Sequence, residues 1–239
     1  MISSSQRRRL KQQLGSKKRS KKRFKLTQDP SKPSNRRGLF ITFEGGEGAG
    51  KTTLIEQIVK SLTESGHRVL TTREPGGTSL GEHIRTILLQ HKEPISPYAE
   101  LSLFLASRAQ HILEVIGPAL NEGKVVLCDR FNDSSIAYQG AARSLGMDKV
   151  SQFCDFVSQG YTPNLTLYLD LDPEVGLSRA AKARVQDRIE SETVQFHRKI
   201  REAYIEIHKK DQKRFKLVDA TLAPEQVFKE AMTHIKTLF

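Results

Sequence analysis

A glycine-rich run that ends in a lysine and a threonine has the most definite chemistry in this sequence. Residues 45–52 read Gly-Gly-Glu-Gly-Ala-Gly-Lys-Thr and match the phosphate-binding pattern GxxxxGK[ST] in full. Glycines let backbone N–H groups curl around a phosphate, and a following helix adds partial positive charge. Lys51 would reach the β- and γ-phosphates of a nucleoside triphosphate, and Thr52 would ligate Mg²⁺. The alternative, a chance glycine-rich turn, is disfavoured because an apolar run precedes the motif and an amphipathic run follows it.

A second pair of charged residues follows the apolar run at 123–128. Asp129 would end a buried strand beside the phosphate loop, where a second support for Mg²⁺ is expected, although a plain helix N-cap is the alternative. Arg130 stands where an ATP-driven motor usually needs a carboxylate to polarise water. A cation there suits an anionic acceptor instead. Because the guanine-reading sequence NKxD is also absent from the sequence, a kinase of small phosphorylated acceptors fits better than a motor or a regulatory GTPase.

Two further groups of residues could bind the acceptor. Arg73 opens the turn Arg-Glu-Pro-Gly-Gly-Thr after an apolar run, where ligands of open parallel sheets bind; an ordinary turn with a solvated arginine is the alternative. Phe104 and Arg108 are i,i+4 neighbours on one helical face, so the pair could stack on a base and hydrogen-bond to it. A core phenylalanine beside a snorkelling arginine is the other interpretation.

The segment after Asp129 repeats polar residues at a helical spacing. Arg130, Ser134 and Tyr138 are four residues apart and would share a face if the segment is helical. Gln139 follows and offers both a donor and an acceptor, which a pyrimidine edge could use.

The elements that must position these residues alternate between apolar, β-rich runs and helical stretches. The runs lie at 38–44, 67–72, 123–128, 164–170 and 214–219. The helical stretches are Thr52–Ser65, Ser79–Gln90, Pro97–Gly117 with Pro118 near its end, Pro173–Arg184, Ser191–Lys210 and Pro224–Phe239. We expect a single helix between the third and fourth strands. The alternation predicts an α/β fold with parallel strands covered on both faces.

The charge of the chain is concentrated at its N-terminus. Residues 1–37 hold 14 of the 39 Lys and Arg and one of the 27 acidic residues, which leaves 25 basic and 26 acidic residues in 38–239. The remainder is therefore close to neutral, which argues against a nucleic-acid-binding core. Residues 1–37 are expected to be a disordered basic extension. This extension could bind nucleic acid, could be a targeting segment that directs the protein to a compartment, or could be a leader without a function of its own. We favour the leader.

Other features of the sequence exclude several classes of protein. Cys128 and Cys154 are the two cysteines and form no CxxC pair. We therefore expect no disulfide framework, and we expect a reducing, cytoplasmic location. No run of about 18 apolar residues exists, so we expect no membrane span.

Taken together, the motifs resemble those of one family, the thymidylate kinases of the bacterial dTMP kinase type. The motifs are FEGGEGAGKTT, TREPGGT, LFLASRAQH, CDRFNDSSIAYQG, PNLTLYLDLDPEVGLSRA and DRIE, in that order across about 38–219. The resemblance implies a P-loop nucleoside monophosphate kinase fold over 38–239, with a five-stranded parallel sheet and a mobile lid at about 179–190. It implies that Mg²⁺-bound ATP phosphorylates dTMP to give ADP and dTDP. It also suggests a homodimer that forms through helices near 97–117 and 132–158.

The resemblance also assigns roles to individual residues. The ATP phosphates would be bound by Gly45, Gly46, Glu47, Gly48, Ala49, Gly50, Lys51 and Thr52, with Thr52 and Asp129 on Mg²⁺. The dTMP site would contain Glu47, Arg73, Phe104, Arg108, Arg130, Ser134, Ser135, Tyr138 and Gln139. Phe104 would stack on thymine, Arg108 and Gln139 would hydrogen-bond its edge, and Tyr138 would crowd a 2′-hydroxyl. Lys51, Arg130, Glu47 and a lid cation would be catalytic.

The lid departs from the family's pattern. Many relatives carry Arg-x-Arg-Gly there, whereas this chain has Lys182 and Arg184 without the glycine, followed by Arg188. We take Arg184 as the catalytic cation, with Lys182 and Arg188 as the alternatives. A basic helix end that is exposed to solvent and has no catalytic role is the other interpretation.

Two rival functions follow from the same residues. One is a kinase of a different monophosphate or of a deoxynucleoside, and the other is a nucleic-acid-binding ATPase that uses the basic extension as an arm. Arg130 and Arg73 favour a phosphorylated acceptor over the first, and the near-neutral remainder of the chain disfavours the second.

Overall fold

The computed structural model describes residues 38–183 and 187–239. The basic extension of residues 1–37 and the lid residue Arg184 lie outside the described residues.

Five parallel strands form one sheet, as predicted. They are β1 (Leu39–Gly45), β2 (Val69–Arg73), β3 (Val125–Asp129), β4 (Leu165–Asp170) and β5 (Phe215–Asp219). Their order across the sheet is β2-β3-β1-β4-β5, with every neighbouring pair parallel. The strand with the glycine-rich loop at its end is therefore central, flanked by the strand that ends in Asp129. Because all strands run the same way, their carboxyl ends meet at one edge of the sheet.

Helices connect the strands. They are α1 (Lys51–Glu64), α2 (Ser79–Gln90), α3 (Pro97–His111), α4 (Gly117–Asn121), α5 (Asn132–Ser135), α6 (Met147–Ser158), α7 (Pro173–Ala183), α8 (Val194–Lys210) and α9 (Pro224–Lys236). Ile112–Ile116 forms a π-helical turn between α3 and α4, and Ile136–Ala142 forms a second one after α5. No helix within 38–183 or 187–239 combines the length and apolar character needed to cross a membrane.

The sheet is covered on both faces, as the continuous apolar strands predicted. Successive side chains of β1 alternate between the faces. Ile41 and Phe43 pack with Ile58 of α1 and Ile235 of α9 in one core cluster. Phe40, from the opposite face of the strand, packs with Ile116 of the π-helical turn and with residues of α4 and β3 in a second cluster. Residues of α8 cover the same side of β4 and β5 in a third.

Two predicted helix boundaries were wrong. The helix that begins at Pro97 does not end near Pro118 but continues to Asn121. Pro118 lies in the first turn of α4, where a missing N–H is tolerated, and the preceding π-helical turn satisfies the Gly117 N–H with the Ile112 carbonyl. The region between β3 and β4 contains two helical segments rather than one, because the chain turns at Gly146, whose φ of 92° is left-handed.

Candidate active site

The loop between β1 and α1 has the geometry of a phosphate cradle. Gly48 and Gly50 have φ values of 66° and 91°, a left-handed conformation that other residues adopt only with strain. Gly48 also lies against the backbone of Gly176 in α7, where an added Cβ would clash. Lys51 begins α1, is 8% exposed, and donates hydrogen bonds of 3.2 Å to the carbonyls of Gly45 and Gly46. The loop therefore presents a helix N-terminus and a buried ammonium group at the same place.

Lys51 is in surroundings that favour an added negative charge. Burial lowers the pKa of its ammonium group, and the nearby Arg130 guanidinium lowers it further. The carboxylates of Asp129 and Glu47 act in the opposite direction but do not cancel the fall. An anionic ligand beside Lys51 would stabilise the charged form of this lysine.

One cavity of about 460 Å³ lies at the carboxyl edge of the sheet, a volume suited to a small-molecule ligand. Most of the residues that the sequence singled out line it: Glu47, Gly48, Ala49, Gly50, Lys51, Thr52, Arg73, Phe104, Arg108, Asp129, Arg130, Ser134, Ser135, Tyr138 and Gln139. Gly45 and Gly46 do not line it, and their carbonyls accept from Lys51 instead. The fold thus brings Arg73 of β2, Asp129 of β3 and residues of the segments that follow β1, β2 and β3 to one site.

Arg130 and Glu47, which both line the cavity, form an ion pair. The Arg130 Nη2 lies 2.7 Å from Glu47 Oε1, and the Arg130 backbone has a left-handed φ of 72°. Burial raises the pKa of Glu47, but the charges of Arg130 and Lys51 outweigh burial and lower it to about 2. Glu47 is therefore a carboxylate at neutral pH.

Tyr138 joins this pair from the π-helical turn. Its hydroxyl donates to Glu47 Oε1 at 3.3 Å, and the Arg130 guanidinium lies over its ring at 5.1 Å from the centroid. Burial raises the pKa of Tyr138, so the phenol stays protonated. Arg130 precedes α5 and is not on the predicted helical face, but the three side chains still meet, because Arg130 Nη1 also donates to Ser134 Oγ at 3.3 Å.

The donors around Thr52 and Asp129 fit a magnesium ion. Asp129 Oδ1 is buried, and no group among the described residues donates a hydrogen bond to it. Thr52 is exposed at the start of α1, and both residues line the cavity. Oxygen donors of this kind are what Mg²⁺ prefers. The alternative that Asp129 caps a helix is wrong, because the helix after β3 begins at Asn132 with Phe131 at its N-cap.

Phe104 and Arg108 of α3 also line the cavity. Arg108 is 1% exposed, so the snorkelling interpretation is wrong. It donates from Nε to Glu74 Oε2 at 2.6 Å and from Nη2 to the Phe131 carbonyl at 3.1 Å. Its terminal nitrogens carry two hydrogens each, so the guanidinium retains donors beyond these contacts.

Arg73 lies at the rim of the cavity. Its side chain is 54% exposed and pairs with Glu82 of α2 at 3.1 Å. Glu82 also accepts from the Gly77 N–H at 3.0 Å, so the turn after β2 is braced against α2. Arg85 of the same helix is a second cation that lines the cavity, and it was not among the predicted site residues. Its Nη1 donates a hydrogen bond of 3.0 Å to the Pro75 carbonyl.

Ser135 of α5 and Gln139 of the π-helical turn are two polar side chains that line the cavity. Ser135 Oγ is buried and has no hydrogen-bond partner among the described residues. Gln139 donates from Nε2 to Glu100 Oε1 at 2.9 Å and lines the cavity.

Glu44 is a buried acid at the site that sequence reasoning missed. It lies in β1, is fully buried, and accepts from the Phe131 N–H at 2.8 Å, from the Tyr204 hydroxyl at 2.8 Å and from Ser134 Oγ. Burial, with the nearby Asp133 charge, raises its pKa to about 7. The signal available in the sequence was an acid at the end of an apolar strand, immediately before the glycine-rich loop.

The three candidate lid cations differ in their placement. Lys182 is exposed near the end of α7 and does not line the cavity, and Arg184 lies outside the described residues. Arg188 donates from Nη2 to Glu100 Oε2 at 2.6 Å and from Nε to the Leu88 carbonyl at 2.8 Å. Arg179 of α7 does line the cavity and was not among the predicted lid cations.

Comparison with known proteins agrees with this geometry. The family model described as thymidylate kinase matches residues 43–231. A thymidylate kinase of Protochlamydia amoebophila is 48% identical over 209 residues, covering 84% of this chain and 93% of that protein. A thymidylate kinase of Chlamydia trachomatis is 46% identical over 202 residues, covering 84% of this chain and 100% of that protein.

A solved structure supports the same assignment. The crystal structure of thymidylate kinase from Ehrlichia chaffeensis superimposes with a TM-score of 0.68 at 30% identity, covering 83% of this chain and 98% of that one. The fold is that of the P-loop nucleoside monophosphate kinases. On the match of the family model and the identity to these relatives, the chain belongs to the thymidylate kinase family.

Proposed function

We propose that the chain transfers the γ-phosphoryl group of Mg²⁺-bound ATP to dTMP within the cavity at the carboxyl edge of the sheet. Phosphorylation of dTMP to dTDP, in dTTP synthesis, is the reaction of the family to which the chain belongs. The observation that carries the proposal is one cavity lined by Lys51 of the phosphate loop and by Phe104, Arg108 and Gln139. A triphosphate and a nucleoside monophosphate can therefore meet inside it.

The glycine-rich loop is the proposed ATP phosphate site. Its backbone N–H groups and the N-terminus of α1 favour anionic oxygen atoms, and Lys51 would neutralise charge on the β- and γ-phosphates. The lowered pKa of the buried Lys51 ammonium group supports this role, because the lysine lies where a polyanion would stabilise it.

Thr52 and Asp129 would hold Mg²⁺. The buried Asp129 Oδ1 without a partner among the described residues supports this assignment. When bound, Mg²⁺ would neutralise negative charge on the phosphate groups of ATP.

The part of the cavity lined by Phe104 is the proposed dTMP site. Phe104 would stack on the thymine ring, while Arg108, Gln139 and Ser135 would face its polar edge. Tyr138, held by Glu47, would lie beside the deoxyribose and leave little space for a 2′-hydroxyl. Arg73, Ser134 and Glu47 complete the proposed lining.

Phosphoryl transfer then needs positioning and charge neutralisation more than covalent help from the protein. An oxygen of the dTMP phosphate attacks the γ-phosphorus, the bond to the bridging oxygen breaks, and ADP leaves with the electron pair. The attacking group is already an oxyanion, so no general base is required. Arg130, oriented by Glu47, and Lys51 would neutralise the transferring charge together with a lid cation, for which we propose Arg184.

We also propose that the protein is a homodimer. Tyr98 of α3 and Phe153 and Phe156 of α6 are 75%, 56% and 82% exposed. Leu101 of α3 packs with Cys154 of α6 in one cluster, so these rings lie on neighbouring helices. Exposed aromatic groups of this kind are typical of protein interfaces.

The compartment and the basic extension complete the proposal. Cys128 and Cys154 are buried free thiols whose pKa values burial raises, in agreement with a reducing, cytoplasmic location. Residues 1–37 are proposed to be a leader that takes no part in the reaction and binds no nucleic acid.

A coupled assay of ADP release tests the function over dTMP, dUMP, dCMP, dGMP and thymidine. We expect dTMP to be the best acceptor and thymidine to be inert, because Arg130 and Arg73 suit an acceptor that already bears phosphate. Faster ADP release with thymidine or with a purine monophosphate would overturn the proposed acceptor.

A further inference from the structure

Glu100 is a buried acid to which the proposed reaction assigns no role. It lies in the first turn of α3 and is 1% exposed. Its three partners come from two separate parts of the chain: Gln139 Nε2 at 2.9 Å and Arg143 Nε at 3.2 Å from the π-helical turn and its C-cap, and Arg188 Nη2 at 2.6 Å from the segment before α8. Burial alone would raise the pKa of Glu100, but the hydrogen bonds from Gln139, Arg188 and Arg143 lower it overall, so the group is a carboxylate.

A carboxylate determines which way a neighbouring amide points. It has only acceptor oxygens, so Gln139 must present its NH₂ group to Glu100. No hydrogen bond from the described residues engages Gln139 Oε1, and the residue lines the cavity. The amide oxygen is therefore the polar atom of Gln139 left for a ligand.

We propose that Glu100 is a positioning residue that gives the site its preference for thymine over cytosine by fixing the orientation of the Gln139 amide. The inference rests on the proposed function, in which Gln139 faces the base. Thymine has a donor at N3 and an acceptor at O4, whereas cytosine has an acceptor at N3 and a donor at N4. A fixed acceptor on Gln139 matches the thymine N3–H and meets the cytosine N3 lone pair.

The two arginines hold the carboxylate so that it cannot turn away. Arg143 binds both oxygens of Glu100, and its guanidinium lies over the Phe196 ring at 4.5 Å from the centroid. Arg188 binds Oε2 and is anchored in turn on the Leu88 carbonyl. With Oε2 shared between two cations, Oε1 is held toward Gln139.

The test is the ratio of kcat/KM for dTMP to kcat/KM for dCMP in Glu100→Gln. A glutamine at position 100 can donate as well as accept, so Gln139 can turn and offer its NH₂ group to the base. The ratio should fall about tenfold or more, the size of one mismatched hydrogen bond in a buried site. The kcat at saturating dTMP should change much less than the KM.

A double mutant separates positioning from a merely structural role. If Glu100 acts through Gln139, adding Glu100→Gln to Gln139→Leu should leave the dTMP/dCMP ratio of the single Gln139→Leu variant unchanged. Asp133→Asn is a matched control, since Asp133 is also a buried carboxylate, bound by Arg214 at 2.7 Å, but does not line the cavity. It should destabilise the protein without changing the ratio.

A ratio that stays within twofold of wild type in folded Glu100→Gln would overturn the proposal, as would an equal fall in the Gln139→Leu background. If Glu100→Gln does not fold, Glu100→Asp takes its place in the test. The shorter carboxylate keeps the negative charge for Arg143 and Arg188 but no longer reaches Gln139, so the dTMP/dCMP ratio should again fall. A crystal structure of the wild-type enzyme with dTMP gives a test without variants: Gln139 turned away from Glu100 would refute the inference. Failure of the wild-type enzyme to phosphorylate dTMP would instead refute the proposed function.

Discussion

Replacing Glu44 by glutamine should remove a loss of stability that the wild-type protein suffers as the pH rises. Glu44 is fully buried in the central strand, and burial, with the nearby Asp133 charge, raises its pKa from 4.5 to about 7. Three donors contact it, from Phe131, Ser134 and Tyr204, but they do not compensate for the removal of a carboxylate from water.

The sign of the effect follows from where the proton is bound. Between pH 4.5 and 7 the unfolded chain has an ionised Glu44 while the folded chain keeps it protonated. The folded state therefore binds more protons, and the free energy of unfolding falls as the pH rises through this window. Below pH 4.5 and above pH 7 this residue adds no further slope.

The magnitude follows from the pKa difference. A pKa unit corresponds to about 1.4 kcal/mol, so the rise from 4.5 to about 7 corresponds to about 3 kcal/mol over the whole window. Between pH 5 and pH 8 the contribution of Glu44 to the free energy of unfolding should fall by about 2.5 kcal/mol. Glutamine does not titrate, so Glu44→Gln should gain about that much relative to wild type over the same interval.

Urea denaturation at pH 5, 6, 7 and 8, followed by circular dichroism, measures this difference. Glu56→Gln is the control, because Glu56 lies on the exposed side of α1 and shows what an exposed carboxylate contributes. A difference in the free energy of unfolding, variant minus wild type, that stays constant from pH 5 to pH 8 would contradict the raised pKa of Glu44. A difference that falls as the pH rises would mean that Glu44 is ionised and stabilised in the folded protein.

Four further predictions concern the reaction and the assembly. Lys51→Ala should lower kcat on the order of 10²-fold or more while the Kd for dTMP changes by less than about threefold, and near-normal turnover in a rapid-quench assay would contradict its role. Arg184→Ala should lower kcat on the order of 10²-fold or more; a silent Arg184→Ala beside a slow Lys182→Ala would transfer the role to Lys182. Deleting residues 1–36 should leave kcat/KM for both substrates unchanged, and a loss of activity would show that the extension takes part. The molecular mass of the wild-type protein in light scattering should be about twice the 27.0 kDa of one chain, and that of Phe156→Glu should be the mass of one chain. A monomeric wild-type protein would exclude the proposed dimer.

The parts of the fold that could be predicted from sequence are those with a strong local signal. Buried parallel strands are continuous apolar runs, so all five were located to within two residues at each end. The glycine-rich loop is recognisable because glycine adopts the left-handed backbone angles of Gly48 and Gly50 without strain. Helix ends without such signals were harder, since a π-helical turn before Pro118 lets the helix continue through a residue that normally ends one.

The parts of the site that could not be predicted depend on contacts between distant segments. In the sequence, Glu44 is an acid in an apolar strand and Glu100 is an acid in the first turn of a helix, and neither context indicates a role. Their partners Phe131 and Arg188 are 87 and 88 residues away in sequence. The sequence offered Arg188 as a lid cation, and only the three-dimensional arrangement shows it bound to Glu100.

The central claim is that ATP and dTMP occupy one cavity at the same time, with their phosphates facing each other. Inhibition by adenosine and thymidine joined 5′ to 5′ through a chain of phosphates tests this most directly. We expect this compound to compete with both ATP and dTMP in steady-state kinetics and to bind more tightly than either nucleotide alone. Competition with only one of the two substrates, in the presence of a saturating concentration of the other, would contradict it.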